Sequence, residues 1–199
     1  MDEQTRITEE KYKQVQRHEL EWWRNNHIDV NWLWNTYLDV FEPWLREFEC
    51  VVDIGCGPMP IFCSPRIQGE RWIAVDPLFE EYNSIPYYTK YHSGKIEFAN
   101  EAGQVASNSA DGVFCLNALD HVQDPGNMLV HLRRILKPGG RLYLFVDIDK
   151  PTDPMHLHTI RRDWLLSKLS VLKLIELKMN KSWKFANDVM WYVGEERAQ

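Results

Sequence analysis

The run Val51-Val52-Asp53-Ile54-Gly55-Cys56-Gly57-Pro58 carries an apolar stretch into two glycines separated by one residue. Glycines at the carboxyl end of a strand let a ligand approach the backbone closely, and in open α/β sheets that edge is where ligands bind. A dinucleotide fingerprint needs a further glycine at position 60, where Pro60 stands, so a nicotinamide or flavin reading loses a contact. Asp53, an acid inside the strand, is a poor neighbour for a pyrophosphate and suits a cationic ligand. Asp76 closes the next apolar run and is placed to accept both hydroxyls of a ribose, the alternative being a simple cap on the turn at Pro77. Glu101 and Ala102, after a third run, can address an adenine edge or serve as ordinary loop residues. Asn117-Ala118-Leu119-Asp120-His121-Val122, after a fourth, adds polar groups to the same rim. His121, His156 and His158 are the imidazoles able to take a proton from a hydroxyl, with His158 first among them. His18, His27, His92 and His131 read as surface or satisfied core residues.

These residues need a frame. CVVDI (50–54), WIAVD (72–76), KIEFA (95–99), GVFCLN (112–117) and RLYLFVD (141–147) are short apolar runs between turns, the pattern of strands buried on both faces. Between the last two, DPGNMLVHLRRILKPGG has a capping Asp124, a first-turn Pro125 and an apolar stripe of Met128, Leu129, Leu132, Ile135 and Leu136, which makes a helix. Alternating strand and helix implies right-handed crossovers and a doubly wound sheet. A helix over roughly 160–169 and two closing strands, VLKLIELKM and DVMWYVGEE, complete the order. Ahead of the strands lies a helical prefix. Residues 8–25 lack Pro and Gly and open with a capping Thr8, and the series Val30, Leu33, Trp34, Tyr37, Leu38, Phe41, Trp44, Leu45 and Phe48 keeps a helical period that Pro43 should kink. The expected division is a helical cap over 1–49 and a catalytic domain over 50–199.

The chain has 199 residues, with 44% hydrophobic and 26% charged, which fits one compact domain with an appendage and excludes disorder or a fibrous repeat. Its formal charge of −6 gives no broad attraction for phosphate backbones, so general nucleic-acid binding is not expected. The acidic, polar start MDEQTRITEE does not read as a secretory signal, no apolar run is long enough for a membrane span, and a cytoplasmic protein is expected. Cys50, Cys56, Cys63 and Cys115 form no C-x-x-C pair and read as core residues. A metal held by His156 and His158 with Asp147 or Asp149 is the lesser reading, and no metal is expected.

Nine Trp residues are present, and Trp22, Trp23, Trp32, Trp34 and Trp44 all fall in the prefix. Leu33, Tyr37, Phe41 and Trp44 read as a core stripe packed on the sheet. Tyr12, Trp22 and Trp23 belong to an earlier helix with charged neighbours and are candidates for a lid over the ligand and a contact to substrate.

Taken together, VVDIGCGP, WIAVDP, ADGVFCLNALDHVQDP and LRRILKPGGRLYLFVD resemble, in order, the motifs of the class I S-adenosylmethionine-dependent methyltransferases, over about residues 50–194. The resemblance implies a Rossmann-like, seven-stranded, mostly parallel sheet whose last strand is antiparallel, with S-adenosyl-L-methionine held across the carboxyl ends of the first strands. It implies that Gly55, Cys56 and Gly57 pack against the methionine portion, with Asp53 and the backbone of Asn117 near its ammonium. Asp76 and Pro77 would lie at the ribose, and Glu101 and Ala102 at the adenine. The loop departs from the family pattern at Met59, and Pro60 and Pro65 leave little room for the long helix that usually follows. The expected activity is methyl transfer to a small-molecule or glycan-like acceptor, at a hydroxyl oxygen. A macromolecule methyltransferase and a cofactor-binding module without turnover remain as alternatives. An N-P-P-Y tetrad and a P-C dipeptide are both missing, so amino methylation of bases and methylation of cytosine carbon are not expected.

Overall fold

The computed structural model describes residues 6–89, 96–181 and 188–197. Helices α1 (Glu9–Asn25) and α2 (Val30–Phe41) precede a sheet of seven strands: β1 (Glu47–Ile54), β2 (Gln68–Val75), β3 (Ile96–Ala99), β4 (Ala110–Leu116), β5 (Leu136–Ile148), β6 (Lys173–Lys181) and β7 (Asp188–Glu195). Single turns α3 (Phe79–Tyr82) and α4 (Pro86–Thr89) follow β2, α5 (Pro125–Ile135) joins β4 to β5, and α6 (Arg162–Leu169) precedes β6. The spatial order is β3-β2-β1-β4-β5-β7-β6, with β7 antiparallel to both β5 and β6 and the other pairings parallel. The order reverses between β1 and β4, which opens a crevice at their carboxyl ends.

Thr8 and Asp124 cap helix starts as expected, and Asp29, not singled out in the sequence, caps a third. Thr8 Oγ1 accepts from the Lys11 amide at 3.4 Å, Asp29 from the amides of Asn31 and Trp32, and Asp124 from Asn127 at 2.9 Å. Pro43 ends α2 in a single 3-10 turn, Glu42–Trp44, and the chain then enters β1 at Glu47. Phe48 therefore lies on a strand, where its helical spacing had placed it on the prefix. Its neighbours explain the choice: on β1 it packs edge-on against Phe114 and Tyr143 at 6.0 and 6.1 Å. In the same way Leu136 begins β5 and does not continue α5. Pro60 and Pro65 bracket one 3-10 turn, Ile61–Cys63, where a long helix has no room.

Both faces of the sheet are covered. Cys50, Val52 and Ile54 of β1 face a core shared with α5 and α6, whereas Phe48 and Val51 face a second core shared with α2. Leu38 and Phe41 of α2 are fully buried in that second core, and Tyr37 and Phe41 pack on Phe145 and Tyr143 at 5.0 and 5.5 Å. The stripe expected to pack on the sheet does so. Among the described residues no helix is long and apolar enough to cross a membrane.

Candidate functional site

The glycine loop leaves β1 in a conformation that side chains resist. Gly55 and Gly57 have φ of +66° and +57°, and a Cβ on Gly55 would stand 2.3 Å from the Cβ of Ala118. The loop thus lies directly on the residue after Asn117, itself left-handed at φ +56°, a conformation Asn tolerates better than most residues. The close approach creates a backbone cradle at the crevice, and a methionine-like chain with an ammonium fits such a cradle better than a bulky anion, because acids surround it. Asp53 is 3% exposed, its Oδ2 accepts from the Ile61 amide at 2.7 Å, and burial pushes its carboxyl up to about 7 against that hydrogen bond.

Asp76 buttresses the loop from β2. Its Oδ2 accepts from the Gly57 amide and its Oδ1 from the Leu78 amide, each at 2.9 Å, which leaves each oxygen a lone pair for a ribose hydroxyl. Burial pushes Asp76 up to about 7, with the negative charges of Glu19 and Asp53 adding to it and the two amide bonds opposing. Pro77 follows within the turn. Glu101 caps the 3-10 turn Ala102–Gln104 in a reciprocal pair with Gln104, so its backbone is fixed while its side chain stays exposed; Ala102 is buried beneath it.

Helix α1 spans this rim. At its start the Ile7 amide donates to Gln123 O at 2.9 Å and Gln123 Nε2 donates to Ile7 O at 3.0 Å; beyond its end Tyr88 Oη donates to Asn26 O at 2.7 Å and Tyr87 Oη to Ile28 O at 3.0 Å. The helix is therefore strapped to the loop after β4 and to the segment after β2, with the crevice between. Tyr12 lies beside Asp76 and Glu101, and its hydroxyl is pushed up to about 12 by burial and by those acids with Glu19. That places it at the Asp76 and Glu101 end of the crevice. Trp22 and Trp23 instead line a cavity of about 270 Å³, where Trp23 covers Gly57 and packs edge-on against Tyr88 at 5.5 Å. The prospective lid thus divides into two parts with different neighbours.

The cavity joins Asp53 and the glycine loop to Asn117, His121, Asp147, Lys150 and His156, under Trp32, Leu33, Trp34 and Tyr37 of α2. Strand parity explains the floor: Phe145 and Asp147, two apart on β5, face the same side as Asp53. The second group comes from the loop after β5. Asp153 accepts from the amides of Met155 and His156, an Asx turn, and the amides of Leu157 and His158 donate to Asp120 O at 2.8 and 3.2 Å. This docking brings His156 to 4.5 Å from His121, ring centre to ring centre.

The three histidines are not equivalent. His158 Nε2 meets Val122 O at 2.9 Å and the ring is not among the residues lining the cavity, so the imidazole ranked first from the sequence is a loop anchor here. His156 has Nδ1 on Asp153 Oδ2 at 2.7 Å and Nε2 on Lys150 Nζ at 2.6 Å. Burial and the neighbouring His121 lower its pKa and hold it neutral. His121 is the remaining ring: among the described residues neither nitrogen has a hydrogen-bond partner, although Glu19 and Asp120 stand 3.9 and 3.8 Å away. Of the other histidines, His27 stacks on Tyr87 at 4.4 Å, His131 accepts from Arg134, and His92 lies outside the described residues. Glu19, Lys150 and Asp153 belong to no motif in the sequence: Glu19 reaches the cavity from the middle of α1, and the other two gain their neighbours only because the loop after β5 folds back.

A methyltransferase-domain family model matches residues 14–196, reaching well into α1. The ubiquinone biosynthesis O-methyltransferase of Yersinia pestis (strain Pestoides F) is 24% identical over 147 residues, 72% of this chain and 58% of that protein, so the chain spans a little over half the length of such relatives. Among solved structures, the N-methyltransferase NodS of Bradyrhizobium japonicum WM9 in complex with S-adenosyl-L-homocysteine superposes with a TM-score of 0.67 at 14% identity, over 94% of this chain and 99% of that one. The [4+2]-cyclase SpnF reaches 0.71 at 11% identity, with each chain covered in full at 100%. With the family model spanning nearly the whole chain and the strand order, glycine loop and rim acids in place, the protein belongs to the class I S-adenosylmethionine-dependent methyltransferase family.

Proposed function

We propose that the protein transfers a methyl group from S-adenosyl-L-methionine to a hydroxyl of a small polyhydroxylated or glycan-like acceptor. The observation that carries this reading is the single cavity that joins the Gly55–Gly57 cradle to the imidazole of His121 beneath a roof of tryptophans. The donor supplies an electrophilic methyl on a sulfonium when bound. In this reading Gly55, Cys56 and Gly57 hold its methionine chain, Asp53 and the Asn117 backbone its ammonium, Asp76 and Pro77 its ribose, and Glu101 and Ala102 its adenine.

The rest falls to the chain's own residues. Trp22, Trp23 and Trp32 exclude water and offer flat apolar faces to C–H surfaces, while Asp147 and Lys150 offer polar edges to hydroxyls. His121 accepts the acceptor's proton at a ring nitrogen, a role worth about 10²- to 10⁴-fold in rate. His156, already bonded at both nitrogens, orients the loop and keeps Lys150 in place. The O-methyltransferase likeness supports oxygen as the target.

The test is an assay with methyl-labelled cofactor against nucleotide sugars, free glycans, phenols and fatty acids, repeated with Trp22→Ala and Trp23→Ala. Labelled sugar with a raised KM in the variants supports the proposal. Preference for phenols or fatty acids removes the glycan acceptor, and cofactor binding without transfer to any acceptor favours a module without turnover.

A further inference from the structure

Asp120 is 1% exposed, and among the described residues neither of its carboxylate oxygens meets a hydrogen-bond donor. A buried carboxylate without donors is costly, and such groups are found paired or bound to a metal. Its partners are at hand. Ligand-capable atoms of Asp120, His121 and His156 lie within 4.8 Å of one another, with His121 Nε2 at 3.8 Å from Asp120 Oδ1. We propose that Asp120, His121 and His156 bind one divalent transition-metal ion at the wall of the cavity.

Each imidazole has a carboxylate behind its far nitrogen. Asp153 Oδ2 is 2.7 Å from His156 Nδ1, and Glu19 Oε2 is 3.9 Å from His121 Nδ1. For His156 the carboxylate on Nδ1 fixes the tautomer and presents Nε2 to a metal, and for His121 it is Nε2 that stands nearest Asp120, so both Nε2 atoms are the ligands. The amides of Met155 and His156 donate to Asp153 Oδ1 at 2.8 and 2.9 Å, which fixes that carboxylate behind the ring. Two imidazoles and one carboxylate suit zinc, manganese, iron or cobalt, whereas magnesium and calcium prefer oxygen throughout.

Lys150 Nζ occupies the place beside His156 Nε2, at 2.6 Å, and Asp147 lies 3.5 Å from the same ammonium. A lysine thus already stands against one ligand nitrogen, and Asp147 keeps it when the metal takes the imidazole. Metal bonds of about 2.0 to 2.2 Å require ligand atoms about 3 to 3.5 Å apart, so the separations close by up to about 1.5 Å on binding. His121 and His156 both line the cavity, so the ion's open positions face the space beside Gly55 and Gly57. Resting on the methyl-transfer reading, the ion would bind the acceptor as its alkoxide, the proton leaving to solvent, so that in the metal-bound protein His121 is a ligand and the ion takes over its part as base.

The experiment uses the full chain after chelator treatment, titrated calorimetrically with Mn²⁺ and Zn²⁺ and followed by absorption with Co²⁺. One equivalent should bind, without a thiolate-to-cobalt band from the cysteines, and Asp120→Asn and His156→Gln should each weaken it by about 10²-fold or more. Lys150→Met should tighten binding and His27→Gln should leave it unchanged, with urea melts showing that every variant is folded. Absence of saturable binding, a thiolate band, or unaltered affinity in both Asp120→Asn and His156→Gln overturns the site. Binding of S-adenosylmethionine is measured on the same metal-free samples. If the cofactor binds and no metal does, only the metal site fails; if a metal binds and the cofactor does not, the methyl-transfer reading fails and the site stands.

Discussion

Replacing Asp53 by Asn separates the cost of burying a charge from the use of that charge. The wild-type carboxyl is pushed up to about 7 by burial, against an unfolded value near 3.9. A raised acid of this kind contributes stability that is fully present below about pH 4 and is lost as pH rises through about 7. At 1.36 kcal/mol per unit the total is about 4 kcal/mol, of which about 2.5 develops between pH 8 and pH 5. Asn keeps an acceptor for the Ile61 amide, which sits 2.7 Å from Asp53 Oδ2, but brings an amide group whose burial without partners costs about 1 to 3 kcal/mol at every pH. The pH-independent cost cancels when the two conditions are compared. Asp53→Asn should therefore gain about 2.5 kcal/mol relative to wild type on going from pH 5 to pH 8, a swing of about 5 to 10 °C in Tm at this chain length. Calorimetry at pH 8 should show cofactor affinity falling by 10-fold or more as the charge near the ammonium is lost, about 1.5 to 3 kcal/mol. Urea melts at both pH values and titration with S-adenosylmethionine decide it. A variant whose stability deficit is the same at pH 5 and pH 8, and which binds the cofactor as wild type does, would refute both the buried charge and its role.

Gly55→Ala places a Cβ 2.3 Å from that of Ala118 at φ +66°, so cofactor binding should fall by at least 10-fold with a loss of about 1 to 3 kcal/mol in stability, read by calorimetry and urea melts. Glu19→Gln removes a negative charge that raises Asp76; the midpoint at which cofactor affinity climbs with pH should move downward, measured by titrations across pH 5.5 to 8.5. His121→Ala should lower kcat by about 10²-fold with cofactor Kd nearly unchanged, whereas His158→Ala, lacking a place in the cavity, should act through stability; steady-state rates and melts on the same samples separate the two.

Elements were legible where one local signal sufficed. The parallel strands announced themselves as apolar runs because both their faces are covered, and Thr8 and Asp124 mark helix starts that the backbone then uses. Phe48 shows the limit: its spacing continues the α2 stripe, yet Pro43 had already ended the helix, and two aromatic rings settle it on β1. The residues proposed to hold the cofactor, Asp53, Gly55, Gly57 and Asp76, stand at or just past strand ends, where a linear reading finds them. Those proposed for the acceptor do not. His156 reaches His121 only because two amides of its loop find the carbonyl of Asp120, a contact between segments more than thirty residues apart that no spacing encodes. The same fold-back turned His158 onto Val122 and brought Lys150 into the cavity.

The burden of negative charge in this crevice argues for what it is built to receive. Asp53, Asp76 and Asp120 are all at most 5% exposed, and Glu19 and Asp147 complete the arc, while Lys150 supplies a compensating ammonium on one side of the cavity. Burying carboxylates without cations destabilises the free protein, so their concentration at one sheet edge is understandable only if a bound cation relieves it. A ligand bound only by the native state stabilises by RT ln(1 + [L]/Kd), and here the sulfonium and ammonium of the proposed cofactor would supply that relief on the Asp53 and Asp76 side. Asp120 lies instead beside two imidazoles, where the proposed metal ion would supply the same relief. The sheet does not dictate this arrangement, for a [4+2]-cyclase shares the architecture along its full length. The chemistry therefore resides in which acids the loops after β1, β2, β4 and β5 carry, and in α1 as the strap that brings Glu19 and two tryptophans down upon them.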